Sequence, residues 1–276
     1  MDEFFYRARR PALGHSPGSH RSRRGEHGLE YRGQAPLRVA PDARRIDLFA
    51  SLRDPFGQWL VRVFDERKAV PVYLVADLSG SIGSRGERRR LDVLSDFAAA
   101  LAWSAYRSGD PFGFVGCDDR VCDDWLLPPS RDKGAGLALA QRLRAHAPHG
   151  SARGLLDAFR WLRRQRSLVF VVSDFLLPLE QIDTLLGSLA QHEVVPVVLG
   201  DRSEALPPRN GLAWLVDAET GRQRPVWMRE SLRLRWQRRH AEREAALKAC
   251  FGRHRLAPLV LRDGFDAAAV TAYFHQ

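Results

Sequence analysis

Two aspartates stand at the ends of long apolar runs, where a buried strand would normally end in any convenient turn. Asp77 ends the run in VYLVADLSGSIGS, and Asp174 ends the run in SLVFVVSDFLLP. Ser79 and Ser81 follow the first aspartate at alternate positions, with glycines between and after them. Carboxylate and hydroxyl oxygens are the ligands that hard cations such as Mg²⁺ take in proteins. These four side chains therefore predict an oxygen-ligated cation site, if the fold brings the two runs together.

The rest of the sequence predicts strands and helices that would bring these two apolar runs together. From residue 70 onward, short apolar runs rich in β-formers alternate with longer helical segments. Strands are predicted at residues 70–76, 112–117, 121–127, 167–173, 194–199 and 258–261, and helices at residues 91–108, 133–147, 155–164, 179–192 and 231–253. A hairpin is predicted around residues 212–217. This alternation predicts a doubly wound α/β fold, with a mostly parallel sheet covered by helices on both faces. Ligands of such sheets bind at the carboxyl ends of the strands.

The N-terminal part of the chain has a different character. Residues 1–40 are rich in Gly, Pro, His, Ser and Arg and show weak periodicity, which predicts an irregular arm without a core of its own. Residues 41–276 are then expected to form the α/β domain.

Composition limits the other possibilities. The net charge is +10, and the 40 arginines that supply most of the positive charge are scattered along the chain without a nucleic-acid-binding motif. The three cysteines form no CxxC pair, and the nine histidines show no HxxxH or HxH spacing, so zinc is not expected. No apolar run is long enough to cross a bilayer, and we expect a soluble, cytoplasmic protein.

The sequence DLSGS resembles the DxSxS element of von Willebrand factor A domains, whose metal ion-dependent adhesion site combines this loop with a hydroxyl residue of a second loop and an aspartate that ends a later strand. The resemblance implies that Ser79 and Ser81 bind the ion directly, while Asp77 and Asp174 act largely through waters. Ser151, in PHGSARGLLDAF, is the candidate from the second loop, where the family usually has Gly-Gly-Thr. The implied cofactor is Mg²⁺, or alternatively Mn²⁺ or Ca²⁺.

The preceding segment is similar to the one before the A domain in the bacterial DUF58 family. The matching elements, in the family's order, are His20-Arg21-Ser22, Gly28-Leu29-Glu30-Tyr31, Asp42, Arg44-Arg45-Ile46-Asp47, Arg53 and Val61-Arg62. Pro41-Asp42 stands where the family has Gly-Asp, and Leu48 where it has Trp. Within the family, RRIDLFASLRDPFG and GCDD resemble the MxaS-type accessory proteins of methanol dehydrogenase gene clusters.

This resemblance implies a non-enzymatic adaptor that works with a MoxR-type AAA+ ATPase in maturing a client complex, with methanol dehydrogenase as one such client. An open position on the cation would attract an acidic side chain of the ATPase or the client. Three alternatives stay open: a metal-dependent hydrolase or phosphotransferase of the α/β class, a basic nucleic-acid-binding protein, and a strand-end turn in which Asp77 merely caps the next helix.

Overall fold

The structure is a computed structural model that describes residues 3–8, 17–21, 30–65, 67–83, 88–201, 210–216, 222–262 and 264–275. The chain divides into two compact units, one formed by Met1–Arg7 with Pro71–Gln276 and the other by Ala8–Val70. The boundary that the sequence suggested at residue 40 falls inside the second unit, because a strand before that boundary pairs with a strand after it.

The described elements alternate between strands and helices over most of the first unit. The strands are β1 (Pro17–Arg21), β2 (Glu30–Pro36), β3 (Leu60–Asp65), β4 (Arg67–Lys68), β5 (Val72–Asp77), β6 (Phe112–Cys117), β7 (Val121–Ser130), β8 (Leu168–Ser173), β9 (Glu193–Gly200), β10 (Gly211–Val216), β11 (Gln223–Met228) and β12 (Leu259–Arg262). The α-helices are α1 (Leu48–Leu52), α2 (Arg90–Ser108), α3 (Ala135–Ala145), α4 (Leu179–Ser188), α5 (Glu230–Arg253) and α6 (Ala267–His275). Three 3₁₀ segments are Ala43–Arg45, Gly80–Gly83 and Ala152–Trp161.

A six-stranded sheet forms the centre of the first unit, in the order β12-β9-β8-β5-β6-β7. All neighbouring pairs are parallel except β6 and β7, which are antiparallel. Every residue of β5, β6 and β8 is buried, which explains their continuous apolar runs. The chain continues from β5 to β6 on one side and reaches β8 on the other, so the strand order reverses between β5 and β8. The predicted ligands follow these two strands.

Helices cover both faces of this sheet. On one face, Tyr73, Val75 and Val171 belong to a buried cluster that also takes in the 3₁₀ segment Ala152–Trp161, α4 and the end of α5. On the other face, Phe170 of β8 packs edge-on against Phe97 of α2, with ring centroids 5.7 Å apart. The predicted doubly wound, mostly parallel α/β fold is confirmed.

The short N-terminal segment of the first unit packs into its core. Phe4 is 1% exposed and stacks on Phe97 of α2, with ring centroids 5.8 Å apart. The Tyr6 hydroxyl donates a hydrogen bond of 2.6 Å to Asp110, and burial together with that carboxylate raises the pKa of the phenol well above its usual value. These residues lie within the expected arm, but they behave as core residues.

Among the described residues of the second unit, β2 pairs with β3 and β1 pairs with β4, both antiparallel. Asp47 caps α1 by accepting a hydrogen bond from the Ala50 N–H, and its other oxygen lies 2.9 Å from Arg62 Nε. This ion pair between Asp47 and Arg62 links the start of α1 to β3 within the second unit.

Several predicted helices end at other residues than expected. The predicted helices 133–147 and 179–192 are shorter, as α3 and α4, and the predicted helix 155–164 is a 3₁₀ segment at Ala152–Trp161. The hairpin predicted around residues 212–217 is formed by β10 and β11, and α6 was not predicted.

None of the described helices is long and apolar enough to cross a membrane.

Candidate metal centre

Asp77 joins the two strand-end loops at the point where the strand order reverses. Parallel pairing sets Ala76 beside Val172, so Asp77 comes next to Ser173. One oxygen of Asp77 accepts a 2.9 Å hydrogen bond from the Ser79 N–H, and the other accepts a 2.6 Å bond from the Ser173 hydroxyl. The carboxylate is fully buried and therefore holds the first loop against β8.

This carboxylate is electrostatically unfavourable where it lies. Burial raises the pKa of Asp77, and the nearby negative charge of Asp174 raises it further, to about 6. The hydrogen bonds from Ser173 and Ser79 oppose this rise only in part. A cation beside Asp77 would oppose this rise in pKa, because it would stabilise the ionised form.

The two serines of the first loop converge on each other. Ser79 and Ser81 are 1% and 6% exposed, and their hydroxyl oxygens lie 3.2 Å apart. The 3₁₀ turn Gly80–Gly83 brings both side chains to the same side. Two neighbouring ligands of an octahedral Mg²⁺ with bonds of about 2.1 Å are separated by about 3 Å. The spacing of the two hydroxyls thus fits ligation of one small cation.

Asp174 is held by a buried arginine. Arg90 Nη1 lies 3.0 Å from Asp174 Oδ2 and also donates a 3.1 Å hydrogen bond to the Ser81 carbonyl oxygen. Arg90 and Asp174 are 4% and 8% exposed. The other oxygen of Asp174 accepts a 3.1 Å hydrogen bond from the Leu176 N–H. The guanidinium therefore connects the two predicted metal-binding loops and neutralises one of their two carboxylates.

The contact of Arg90 with Asp174 was not predicted from the sequence, where Arg90 is one of 40 arginines scattered along the chain. A signal was nevertheless present. Arg90 lies four residues before Leu94 and seven before Phe97, on the face of α2 that the apolar residues predict to be buried. A charged residue on that face requires a buried partner.

The second loop is in place, but the hydroxyl of Ser151 is engaged elsewhere. The Gly80 N–H donates a 3.0 Å hydrogen bond to the Gly150 carbonyl, which fixes this loop beside the first. The backbone N–H and the hydroxyl of Ser151 both donate to one oxygen of Asp119, at 2.8 and 2.7 Å. These bonds lower the pKa of Asp119. The sequence did not reveal this contact between Asp119 and Ser151.

The contact between Asp119 and Ser151 also requires a glycine at position 150. Its φ of +69° lies in the left-handed region, and a Cβ there would come within 2.5 Å of Asp119 Oδ2. The loop is thus built around the interaction between Asp119 and Ser151.

The chemistry of these donors suits a hard cation. The hydroxyl oxygens of Ser79 and Ser81 lie 3.2 Å apart, and Asp77 accepts a hydrogen bond from the Ser79 N–H. No basic side chain among the described residues is hydrogen-bonded to Asp77. Asp174 is close but is already paired with Arg90. Within the described ranges, no group of three or more His, Cys, Asp or Glu side chains could hold a metal. A cation here would depend on the serine hydroxyls, and assignment of the five residues as ligands stays a prediction.

Comparison with known proteins places the chain in a family. Residues 38–246 match the sequence profile described as "Protein of unknown function DUF58". The chain belongs to the DUF58 family. An uncharacterized protein of Paracoccus denitrificans, named for its position in the moxR 3′ region, is 39% identical over 103 residues, which are 36% of this chain and 94% of that protein.

Two solved structures align with about three quarters of this DUF58 protein. BatB from Bacteroides thetaiotaomicron is 14% identical and aligns over 75% of this chain and 96% of its own, with a TM-score of 0.44. The VWA domain of SpRpn10 is 11% identical and aligns over 74% of this chain and 94% of its own, with a TM-score of 0.41.

Proposed function

We propose that this DUF58 protein is a non-enzymatic adaptor that binds a partner protein through a divalent cation held at Asp77, Ser79 and Ser81. The observation that carries the proposal is the convergence of two buried hydroxyls, 3.2 Å apart, beside a buried carboxylate that no basic side chain of the described residues neutralises. Mg²⁺ suits this donor set, and Mn²⁺ or Ca²⁺ could replace it.

The cation supplies a coordination position for an acidic side chain of the partner. Two hydroxyls and one carboxylate leave half of its charge uncompensated and much of its coordination shell to water. A Glu or Asp of the partner replaces a water and gains a charge-assisted contact. Arg90 keeps the loops in position and takes up the charge of Asp174, so that Asp77 faces the cation.

We infer that the partner is a MoxR-type AAA+ ATPase, a client of that ATPase, or both. The support for this partner is the name of the related protein from the moxR 3′ region, together with membership of the DUF58 family. The finer assignment to methanol dehydrogenase maturation rests only on the short elements RRIDLFASLRDPFG and GCDD.

The test is a pull-down of a purified MoxR-type ATPase from the same genome, in Mg²⁺ and in EDTA. We expect binding in Mg²⁺, loss in EDTA, and loss with Asp77→Asn or Ser79→Ala. Asp123→Asn is the matched control, because Asp123 is an exposed residue of β7 and its loss changes the charge equally. Binding that survives both EDTA and Asp77→Asn contradicts a metal-mediated interface. Phosphoester hydrolysis by the purified protein would contradict the non-enzymatic assignment.

A further inference from the structure

A groove runs along α5 beside the loop that contains Asp174. One cavity of about 550 Å³ lies between this loop, the end of β9 and α5. A second cavity of about 320 Å³ continues along α5 toward its N-terminal end. Both are lined by Trp236, His240 and Arg243, so they form one continuous depression, which we call the α5 groove.

Apolar side chains line the groove along its length. Leu232 and Trp236 lie one turn apart on α5, and Leu247 continues the row. Leu176 borders the groove on the opposite side and is 59% exposed. An apolar side chain of a bound segment could therefore be removed from water between Trp236 and Leu176.

Three arginines follow one another along the same helix. Arg235, Arg239 and Arg243 are spaced by four residues, which sets them in line on one face of α5, and all three line the groove. In the part of the chain that the structure describes, no carboxylate lies within ion-pair distance of these three side chains. Their charge is therefore available to a ligand.

The innermost arginine is fixed in place. Arg243 donates hydrogen bonds to the carbonyl oxygens of Phe175, at 2.7 Å, and of Leu177. These bonds anchor α5 to the loop that follows Asp174. The acidic residue Glu244 does not cancel the arginine row, because it is paired with Arg262 at 3.0 Å and lies 3.7 Å from His240.

We propose that the α5 groove binds an acidic segment of a partner protein, whose carboxylates pair with Arg235 and Arg239 while an apolar side chain packs beside Trp236. Charge complementarity selects an acidic ligand. Leu232, Trp236 and Leu247 also line the groove and suit an apolar side chain of a peptide, which a phosphate backbone lacks. Asp77, Ser79 and Ser81 do not line the α5 groove, so binding of the acidic segment there does not require the bound metal.

Fluorescence anisotropy with a labelled synthetic peptide in which glutamates alternate with leucines tests this surface. We expect the Kd for the peptide to rise about tenfold in Arg235→Gln/Arg239→Gln, because two charged pairs are lost, and by a similar factor in Trp236→Ala. Arg238→Gln/Lys248→Gln removes the same charge from exposed positions of α5 outside the groove. It should change the Kd less than about twofold, since net charge alone contributes little at physiological salt.

Two further arms distinguish binding in the α5 groove from binding at the cation or through charge alone. A peptide with glutamine in place of glutamate should bind at least about tenfold more weakly if the arginines recognise carboxylates. Binding of the acidic peptide should persist in EDTA. Loss of binding in EDTA would show that the peptide binds at the cation. It would contradict the proposed peptide site in the α5 groove and leave the adaptor proposal intact. Tighter binding of single-stranded oligothymidylate than of the peptide, or equal losses in the two double variants, would also overturn it.

Discussion

Arg90 Nη1 lies 3.0 Å from Asp174 Oδ2, and this buried ion pair crosses from the start of α2 to the loop after β8. In the metal ion-dependent adhesion sites that the sequence resembles, the aspartate at this position belongs to the metal site. Here Asp174 already contacts the positively charged guanidinium of Arg90. The pair therefore provides a link between the two loops that does not require a metal.

Replacing Arg90 should destabilise the protein and strengthen metal binding. In EDTA, Arg90→Gln should lose about 3 kcal/mol in the free energy of unfolding, because Asp174 would remain buried without its partner. Mn²⁺ should restore part of this loss, since the freed carboxylate can then interact with the cation. Chemical denaturation with and without Mn²⁺ measures both effects.

Arg89→Gln is the control for this change, since Arg89 is only partly buried and lies 3.9 Å from Asp92. It should alter the free energy of unfolding by less than about 1 kcal/mol. A stable Arg90→Gln variant that gains nothing from Mn²⁺ would show that Asp174 has no interaction with the bound cation.

The serines should differ in their effect on metal affinity. Ser79→Ala should weaken Mn²⁺ binding about tenfold, because a hydroxyl beside Asp77 is lost. Ser151→Ala should leave the affinity within about twofold of the parent, because the Ser151 hydroxyl is bonded to Asp119. Calorimetric titration with Mn²⁺ distinguishes them. A large loss of affinity in Ser151→Ala would show that this hydroxyl turns to the metal when it binds.

The raised pKa of Asp77 predicts a dependence of stability on pH in EDTA. The folded-state pKa of about 6 lies above the usual value of 3.8, so the folded state holds the proton more tightly than the unfolded state. Asp77 should therefore contribute stability at low pH and lose that contribution as the pH rises through about 6. The difference amounts to about 3 kcal/mol at most.

Asp77→Asn isolates this contribution, because the side chain keeps its shape without titrating. The free energy of unfolding of the parent minus that of Asp77→Asn should decrease between about pH 4 and pH 7. A difference that stays constant over this range, measured by denaturant titration in EDTA, would show that the carboxyl is not destabilised in the folded protein.

A methyl group at Gly154 should be poorly tolerated. A Cβ there would lie 2.3 Å from the backbone carbonyl carbon of Arg120, which cannot move as a side chain can. Gly154→Ala should cost about 2 kcal/mol or more through steric overlap. Gly187→Ala in α4 meets nothing within 4 Å and should stabilise the helix by up to about 1 kcal/mol. Thermal melts of the two variants should move in opposite directions, and similar melts would contradict the tight approach at Gly154.

The strands of the central sheet were predicted best, because burial on both faces gives them continuous apolar runs in the sequence. The strands β5, β6 and β8 are buried on both faces and appear as unbroken apolar runs, so the predicted bounds differ by at most two residues. Ala152–Trp161 has the apolar spacing of a helix, but Gly154 approaches the backbone of Arg120 and the segment is a 3₁₀ helix. Such long-range contacts leave no local pattern.

The same limit applies to the candidate site. Asp77, Ser79, Ser81 and Asp174 could be grouped from the sequence because they lie at the ends of two apolar runs, which the structure shows to be neighbouring strands. The partners of Asp174 and Ser151 could not be read in this way. Arg90 and Asp119 are separated from them by 84 and 32 residues, and only the fold brings them together.

Phe4 and Tyr6 give the first unit an unusual chain order. Phe4 and Tyr6 belong to its core, the 63 residues Ala8–Val70 form the other unit, and the chain then returns at Pro71 to build the sheet. The second unit is thus an insertion within the first. During synthesis, Phe4 emerges from the ribosome long before its stacking partner Phe97. The Phe4 ring therefore cannot make its native contact until α2 has also been synthesised. A fragment that begins at Pro71 would lack this ring and expose the apolar surface of α2 that it covers.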